Sequence, residues 1–168
     1  MDIQGQESRA LDKVAELVGE IKFAMLTTQG DQGELHSRPM TTLQIDSDGC
    51  LWFFTAAHSH IMDEVDGHAR VNLAYARIDK QDYLSVTGTA QIVRDRGKMQ
   101  ELWTPWLTPW FPEGLDDPEL VLLKVRMEEA DYWAAPGSAV KRLYGLVKGI
   151  LTRNPNALGE HGSVRNPH

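Results

Sequence analysis

The stretch DYLSVTGTAQIVR, residues 82–94, alternates apolar and polar side chains, with Leu84, Val86, Ala90 and Ile92 on one face. Successive side chains of a strand point to opposite faces, so a period of two over that length calls for a half-buried β-strand. Gly88 in its middle predicts a bulge or a close backbone approach. Five further segments carry strand patterns: KFAMLTT (22–28), HSRPMTTLQI (36–45), CLWFFT (50–55), RVNLAYA (70–76) and LVLLKVRMEEADYWA (120–134). DSDG at 46–49 joins two of these as a hairpin.

Helical patterns lie at the edges of this series. Residues 8–20 predict an amphipathic helix, with Ser8 as N-cap and Leu11, Val14, Leu17, Val18 and Ile21 at helical spacing. SHIMDEVDG (59–67) predicts a short helix capped by Ser59, and Asp95 can cap another through RGKMQELW. The segment TPWLTPWFPEGLDDPE is too rich in proline for regular structure. A last helix is predicted over 138–151, followed by a tail, 152–168. The helix carries Val140, Leu143, Val147, Ile150 and Leu151 on one side and is basic through Lys141, Arg142, Lys148 and Arg153. Such a face docks on the barrel or on a second subunit, or lies on a membrane surface.

Six strands with helices pushed to the periphery predict one mainly β domain over 1–168. Its centre, 22–134, reads as an antiparallel barrel or sandwich. No βαβ rhythm is present, and no glycine-rich loop of the GxGxxG or GxxxxGK type. With 168 residues, the chain can bury a sizeable core, and its 42% hydrophobic and 24% charged content is ordinary for a soluble protein. A formal net charge of -7 argues against general nucleic-acid binding. Cys50 is the sole cysteine, so neither an intrachain disulfide nor a cysteine-based zinc site can form. MDIQGQESRALDKVAELVGE has acidic and polar residues where a signal peptide needs a basic segment and an apolar run, which points to the cytoplasm. No stretch approaches the roughly 20 apolar residues of a membrane span.

Several residues stand out as candidates for a site. Pro39 breaks the strand chemistry of HSRPMTTLQI. It marks either an edge strand or a place where irregular backbone faces a ligand, with Arg38 beside it as a ligand-facing charge or an ion-pair partner. FFTAAHSH (53–60) ends a strand and opens a helix. Thr55, Ser59 and His60 could help a helix N-terminus receive a phosphate, or Ser59 could simply cap. Trp103, Trp106, Trp110 and Phe111 form either core and interface or the wall of a flat pocket. His58, His60 and His36, with Asp63 and Glu64, offer metal ligands without any metal-binding motif such as HExxH, and no metal is expected. Cys50 reads as a small buried hydrophobe, and no serine has GxSxG context.

In order, SRPM, LWFFTAAHSH, DYLSVTGTAQIVRD and ELW…WFPEGLDDPELVLLKVRMEEADYW resemble the general stress protein branch of the pyridoxamine phosphate oxidase-like flavin-binding split barrels. The resemblance runs over residues 8–162. It implies a six-stranded antiparallel split β-barrel with flanking helices, and a homodimer with FMN at the subunit interface. In that pattern Arg38, Pro39 and Met40 meet the flavin ring, and Phe53, Phe54 and Thr55 lie against the cofactor. Ser59 and His60 receive its phosphate, and Trp110 and Phe111 lie close to it. One departure concerns position 61, where relatives commonly carry a phosphate-binding lysine and this chain has Ile61.

The function implied is FMN binding, with flavin-dependent oxidoreductase chemistry on an unassigned substrate. The alternative is a non-catalytic module that binds or senses a flavin, or another cofactor such as a deazaflavin or haem. A true pyridoxamine phosphate oxidase needs a second, basic phosphate site, and no matching arginine cluster is present.

Overall fold

The computed structural model describes residues 14–15, 17–133 and 161–165. Its strands are β1 (Phe23–Gln29), β2 (Leu35–Thr41), β3 (Gln44–Ile45), β4 (Cys50–Ala56), β5 (Arg70–Arg77), β6 (Asp82–Val93), β7 (Leu120–Trp133) and β8 (His161–Arg165). Helical residues 14–15 and 17–21 form α1, His60–Gly67 form α2 and Arg96–Leu102 form α3. All strands belong to one antiparallel sheet in the order β2-β1-β5-β6-β7-β4-β3, with β8 added against β7.

The alternation in β6 does what its period requires. Leu84, Val86 and Ala90 are buried against β7, opposite Tyr132, Ala130 and Val125. The register slips between Thr87 and Gly88, so that β7 carries one extra residue, Glu128, at a bulge. A side chain at Gly88 would bring its Cβ to 2.4 Å from the Arg126 carbonyl oxygen, which is why glycine occupies the spot.

The continuous apolar run of β4 follows from burial on both faces. Leu51 and Phe53 enter the main barrel core with Leu26, Leu73, Val86 and Leu123. Trp52 and Phe54 point the other way, into a second cluster with Met99, Leu102, Leu107, Phe111 and Leu122. That second cluster fastens α3 and the proline-rich segment after it to the outside of the barrel. Asp95 caps α3 as expected, its side chain accepting from the Lys98 N–H at 3.1 Å. The β3–β4 hairpin turns through Gly49 at φ 80°, with Asp46 N–H bonded to the Cys50 carbonyl at 2.8 Å.

Among the described residues, eight strands stand where six were expected, for two reasons. HSRPMTTLQI is not one strand, because the chain changes partners within it. Thr42 donates to the Lys22 carbonyl beside β1 at 2.7 Å, whereas Leu43 donates to the Trp52 carbonyl of β4 at 2.9 Å. This switch joins the two ends of the sheet and curls it into a split barrel. Residues 161–165, expected in the tail, add β8 to β7, pairing His161 with Trp133. Ser8 and Leu11 of the first helix, and the whole helix expected at 138–151, lie outside the described residues. Among the described residues, no helix is long and apolar enough to cross a membrane.

Replacing Gly88 by alanine forces the bulge away from the Arg126 carbonyl. Gly88→Ala is expected to lower unfolding free energy by about 1–3 kcal/mol, the range for overpacking a tight site, measured by urea denaturation.

Candidate functional site

β2 is an edge strand, and Pro39 sits in it opposite Met25 of β1 with the register unbroken. A missing N–H is tolerated there because no strand pairs with the far side of β2 among the described residues. The edge alternative for Pro39 is therefore realised, without the disruption of pairing that the other alternative required. The two alternatives nevertheless converge, because this edge borders a cavity.

The cavity, of about 430 Å³, opens where β2 and β4 approach each other without pairing. Pro39, Met40 and Thr41 form one wall, and Phe54, Thr55 and Ala56 at the end of β4 form another. Trp106, Leu107, Trp110 and Phe111 of the proline-rich segment close a third side. Phe111 is buried against Phe54, ring centroids 6.4 Å apart, and Trp106 meets Trp110 edge-on at 5.8 Å. Trp110, Trp106 and Phe23 remain largely exposed at the rim, beside Met25. Among the described residues, no charged side chain lines the cavity. Its polar groups are the Thr41 and Thr55 hydroxyls and whatever main-chain groups the β2 edge leaves free.

Of the ten candidate residues, Pro39, Met40, Phe54, Thr55, Trp110 and Phe111 come together around this cavity. Four do not line it. Phe53 is fully buried inside the barrel, on the face of β4 opposite Phe54. Ser59 occupies the N-cap position of α2 but makes no side-chain capping bond, and its hydroxyl lies 3.3 Å from that of Thr55. His60, the first residue of α2, is exposed. Arg38 turns to the other face of β2.

There Arg38 enters a polar cluster that links β1, β2 and α2. Its guanidinium donates to the Thr28 hydroxyl at 2.7 Å and to the Glu64 carboxylate at 2.8 Å. Thr28 passes its own proton toward the same carboxylate, and His36 Nδ1 lies 2.5 Å from the other carboxylate oxygen. Glu64 is buried between Ile61 and Val65 on the inner side of α2. Burial alone would raise its pKa, but the bonds from Thr28, His36 and Arg38, together with the Arg38 charge, hold it at about 2. Glu64 figured in the sequence only as an acid near histidines. Its position among the apolar residues of α2, facing a strand with a cation, was the signal available. The histidines do not converge: His36 goes to Glu64 and His58 to Glu119 at 2.6 Å. Among the described residues, no three metal-capable side chains come together.

Ile61 is also explained by its place. Its side chain is 4% exposed within the main core, so an amine at this position would begin in apolar surroundings.

A curled antiparallel sheet, split between β2 and β4 with an apolar cavity at the split, defines the split-barrel class. The chain belongs to the pyridoxamine 5'-phosphate oxidase-like family, whose model matches residues 9–156. It is similar to general stress protein 26 of Bacillus subtilis, 31% identical over 121 residues that cover 70% of this chain and 83% of that protein. It is also similar to protein bli-3 of Neurospora crassa, 27% identical over 165 residues, covering 92% of this chain and 79% of that one. Among solved structures, the general stress FMN/FAD binding protein of Xanthomonas citri matches at TM-score 0.66 and 28% identity. That match covers 77% of this chain and 92% of the other.

Two outcomes follow from the cluster and its neighbour. A carboxylate held near 2 against an ordinary 4.5 stabilises the fold above pH 4.5, and this contribution fades as pH falls toward 2. Glu64→Gln should therefore lower stability by up to roughly 3 kcal/mol near neutral pH. The gap to wild type should narrow across that acid window in thermal melts. Ile61→Lys should destabilise by at least about 2 kcal/mol, the low end for losing a buried isoleucine, measured by chemical denaturation.

Proposed function

We propose that this chain is a flavin-binding protein of the general stress type, with FMN as its cofactor. The observation that carries the proposal is the cavity at the barrel split, walled by Pro39, Met40, Phe54, Trp110 and Phe111. A flat heterocycle needs such apolar, aromatic walls for its faces and a strand edge with polar groups for its rim. The Xanthomonas citri relative, described as binding FMN or FAD, supports the same ligand class.

The flavin would supply hydride and electron chemistry, and the protein its placement and surroundings. Pro39–Thr41 would orient the ring, while Phe54 and Phe111 keep water from its inner side. Trp110 and Trp106 at the rim, with Phe23 and Met25, form an exposed apolar surface of the kind that monomers seldom leave open. We assign this surface to a homodimer that completes the site, working in the cytoplasm as a flavin-dependent oxidoreductase. A second reading, a flavin carrier or sensor, draws support from the lack of an ionisable side chain among the described residues that line the cavity.

Purified protein should be yellow, release FMN identifiable by mass on denaturation, and elute as two copies by light scattering. Colourless protein that leaves added FMN fluorescence unquenched would sink the proposal. Trp110→Ala should weaken flavin binding about tenfold, a loss ordinary for an aromatic anchor. Reduction of bound FMN by NADH or NADPH faster than that of free FMN separates the enzyme from the carrier.

A further inference from the structure

The wall formed by Pro39, Met40 and Thr41 belongs to a strand that, among the described residues, has a ladder on one side only. Where that wall sits therefore depends on what holds the end of β2, at the change of partners between Thr42 and Leu43. Thr42 is held there twice. Its N–H donates to the Lys22 carbonyl at 2.7 Å, and its hydroxyl lies 2.9 Å from the phenol oxygen of Tyr75 in β5.

We propose that Tyr75 is a positioning residue for the cavity, setting through Thr42 the β2 wall against which a flavin ring packs. The proposal rests on the flavin reading above. Neither Tyr75 nor Thr42 lines the cavity, so both act on a ligand through their neighbours.

The sheet places Tyr75 to do this. Tyr75 of β5 pairs with Ala24 of β1, and Ala24 pairs with Met40 of β2, so the three share one row. That row faces the barrel core, where Tyr75 and Ala24 are each 2% exposed and Met40 packs against the same cluster. Ala24 carries only a methyl group, which leaves the phenol ring room to extend over β1 toward the end of β2. Met40 borders the core and the cavity at once, so a shift of this row is a shift of the cavity wall.

The bond itself is hard to replace. Burial pushes the Tyr75 phenol pKa up, which keeps the hydroxyl neutral and able to pair with Thr42. Deleting the Thr42 hydroxyl would take this partner from a polar group inside the core, where an unmet bond is costly. Lys22 completes the clamp. It has φ 61°, a left-handed conformation uncommon outside glycine, and strain of that kind persists only where the surroundings fix it. Main-chain groups along a strand edge must be placed to within about 0.5 Å to bond a ligand well, so a small slackening here is felt at the ring.

FMN titrations followed by fluorescence quenching test the proposal, beside urea denaturation of the same proteins. Tyr75→Phe and Thr42→Val are each expected to weaken FMN about tenfold, and the double variant no more than either alone. Thr42→Ser, which keeps the hydroxyl, is expected to stay within about threefold of wild type. Unchanged FMN affinity in Tyr75→Phe, whatever its denaturation midpoint, would overturn the proposal by reducing the bond to structural support. Losses that add in the double variant would overturn it as well. Should one hydroxyl-deleting variant fail to fold, judged by circular dichroism, the other decides when set against Thr42→Ser. Failure of both would make the bond a requirement of the barrel and overturn the positioning role. Wild-type protein that binds no flavin would bring down the flavin reading and this role with it, whereas tight binding indifferent to Tyr75 would bring down only the role of Tyr75.

Discussion

The barrel depends on a change of hydrogen-bonding partner across two successive residues. Thr42 bonds back to Lys22 beside β1, and Leu43 bonds forward to Trp52 in β4. Without that switch β2 and β3 would be the two loose ends of an open sheet. With it they become one segment that draws the ends together, so β2 comes to lie beside β4 without pairing. The split is the necessary remainder of this closure, because a segment bonded to β1 and then to β4 cannot ladder fully with both. The cavity occupies that split. Pro39 is compatible with the arrangement because it falls on the edge the closure leaves open.

Burial on both faces of β4 gives the cavity its other walls. Phe53 fills the barrel while Phe54, one residue later, anchors the second cluster outside it. The segment after α3 has no strand ladder to hold it. Leu107 and Phe111 fix it through burial instead, and the contacts of Phe54 with Phe111 and Trp103 set its distance from the barrel. Trp110 is then left at the rim, next to Phe111 in sequence but facing solvent. Neighbouring aromatics thus do different work: one supports the wall and the other presents it.

The Thr28–Arg38–His36–Glu64 cluster is the polar counterpart of these walls. It ties α2 to β1 and β2, and so holds the edge strand from the side opposite the cavity. The same bonds that steady β2 engage the Arg38 guanidinium on the face of the strand away from the cavity.

Local pattern was enough for much of this. The strand periodicities, the Asp95 cap, the DSDG turn and the Gly88 bulge could be read from the chain itself, because each depends on spacing or on one residue's own conformational limits. The family resemblance added to the candidate residues, six of which line the cavity. The remainder could not be read this way. The break inside HSRPMTTLQI depends on which strands flank it, and β8 on what β7 leaves unpaired. Phe53 and Phe54 look equivalent until the barrel decides which face is inside. Arg38 next to Pro39 read equally as a ligand-facing charge or an ion-pair partner, and only the packing of α2 beside β2 supplied Glu64. By itself, then, the sequence determined the elements, the family resemblance and the residues from which a site could be built. Only the tertiary structure decided which faces meet, because burial and charge pairing are properties of neighbours that the chain order does not contain.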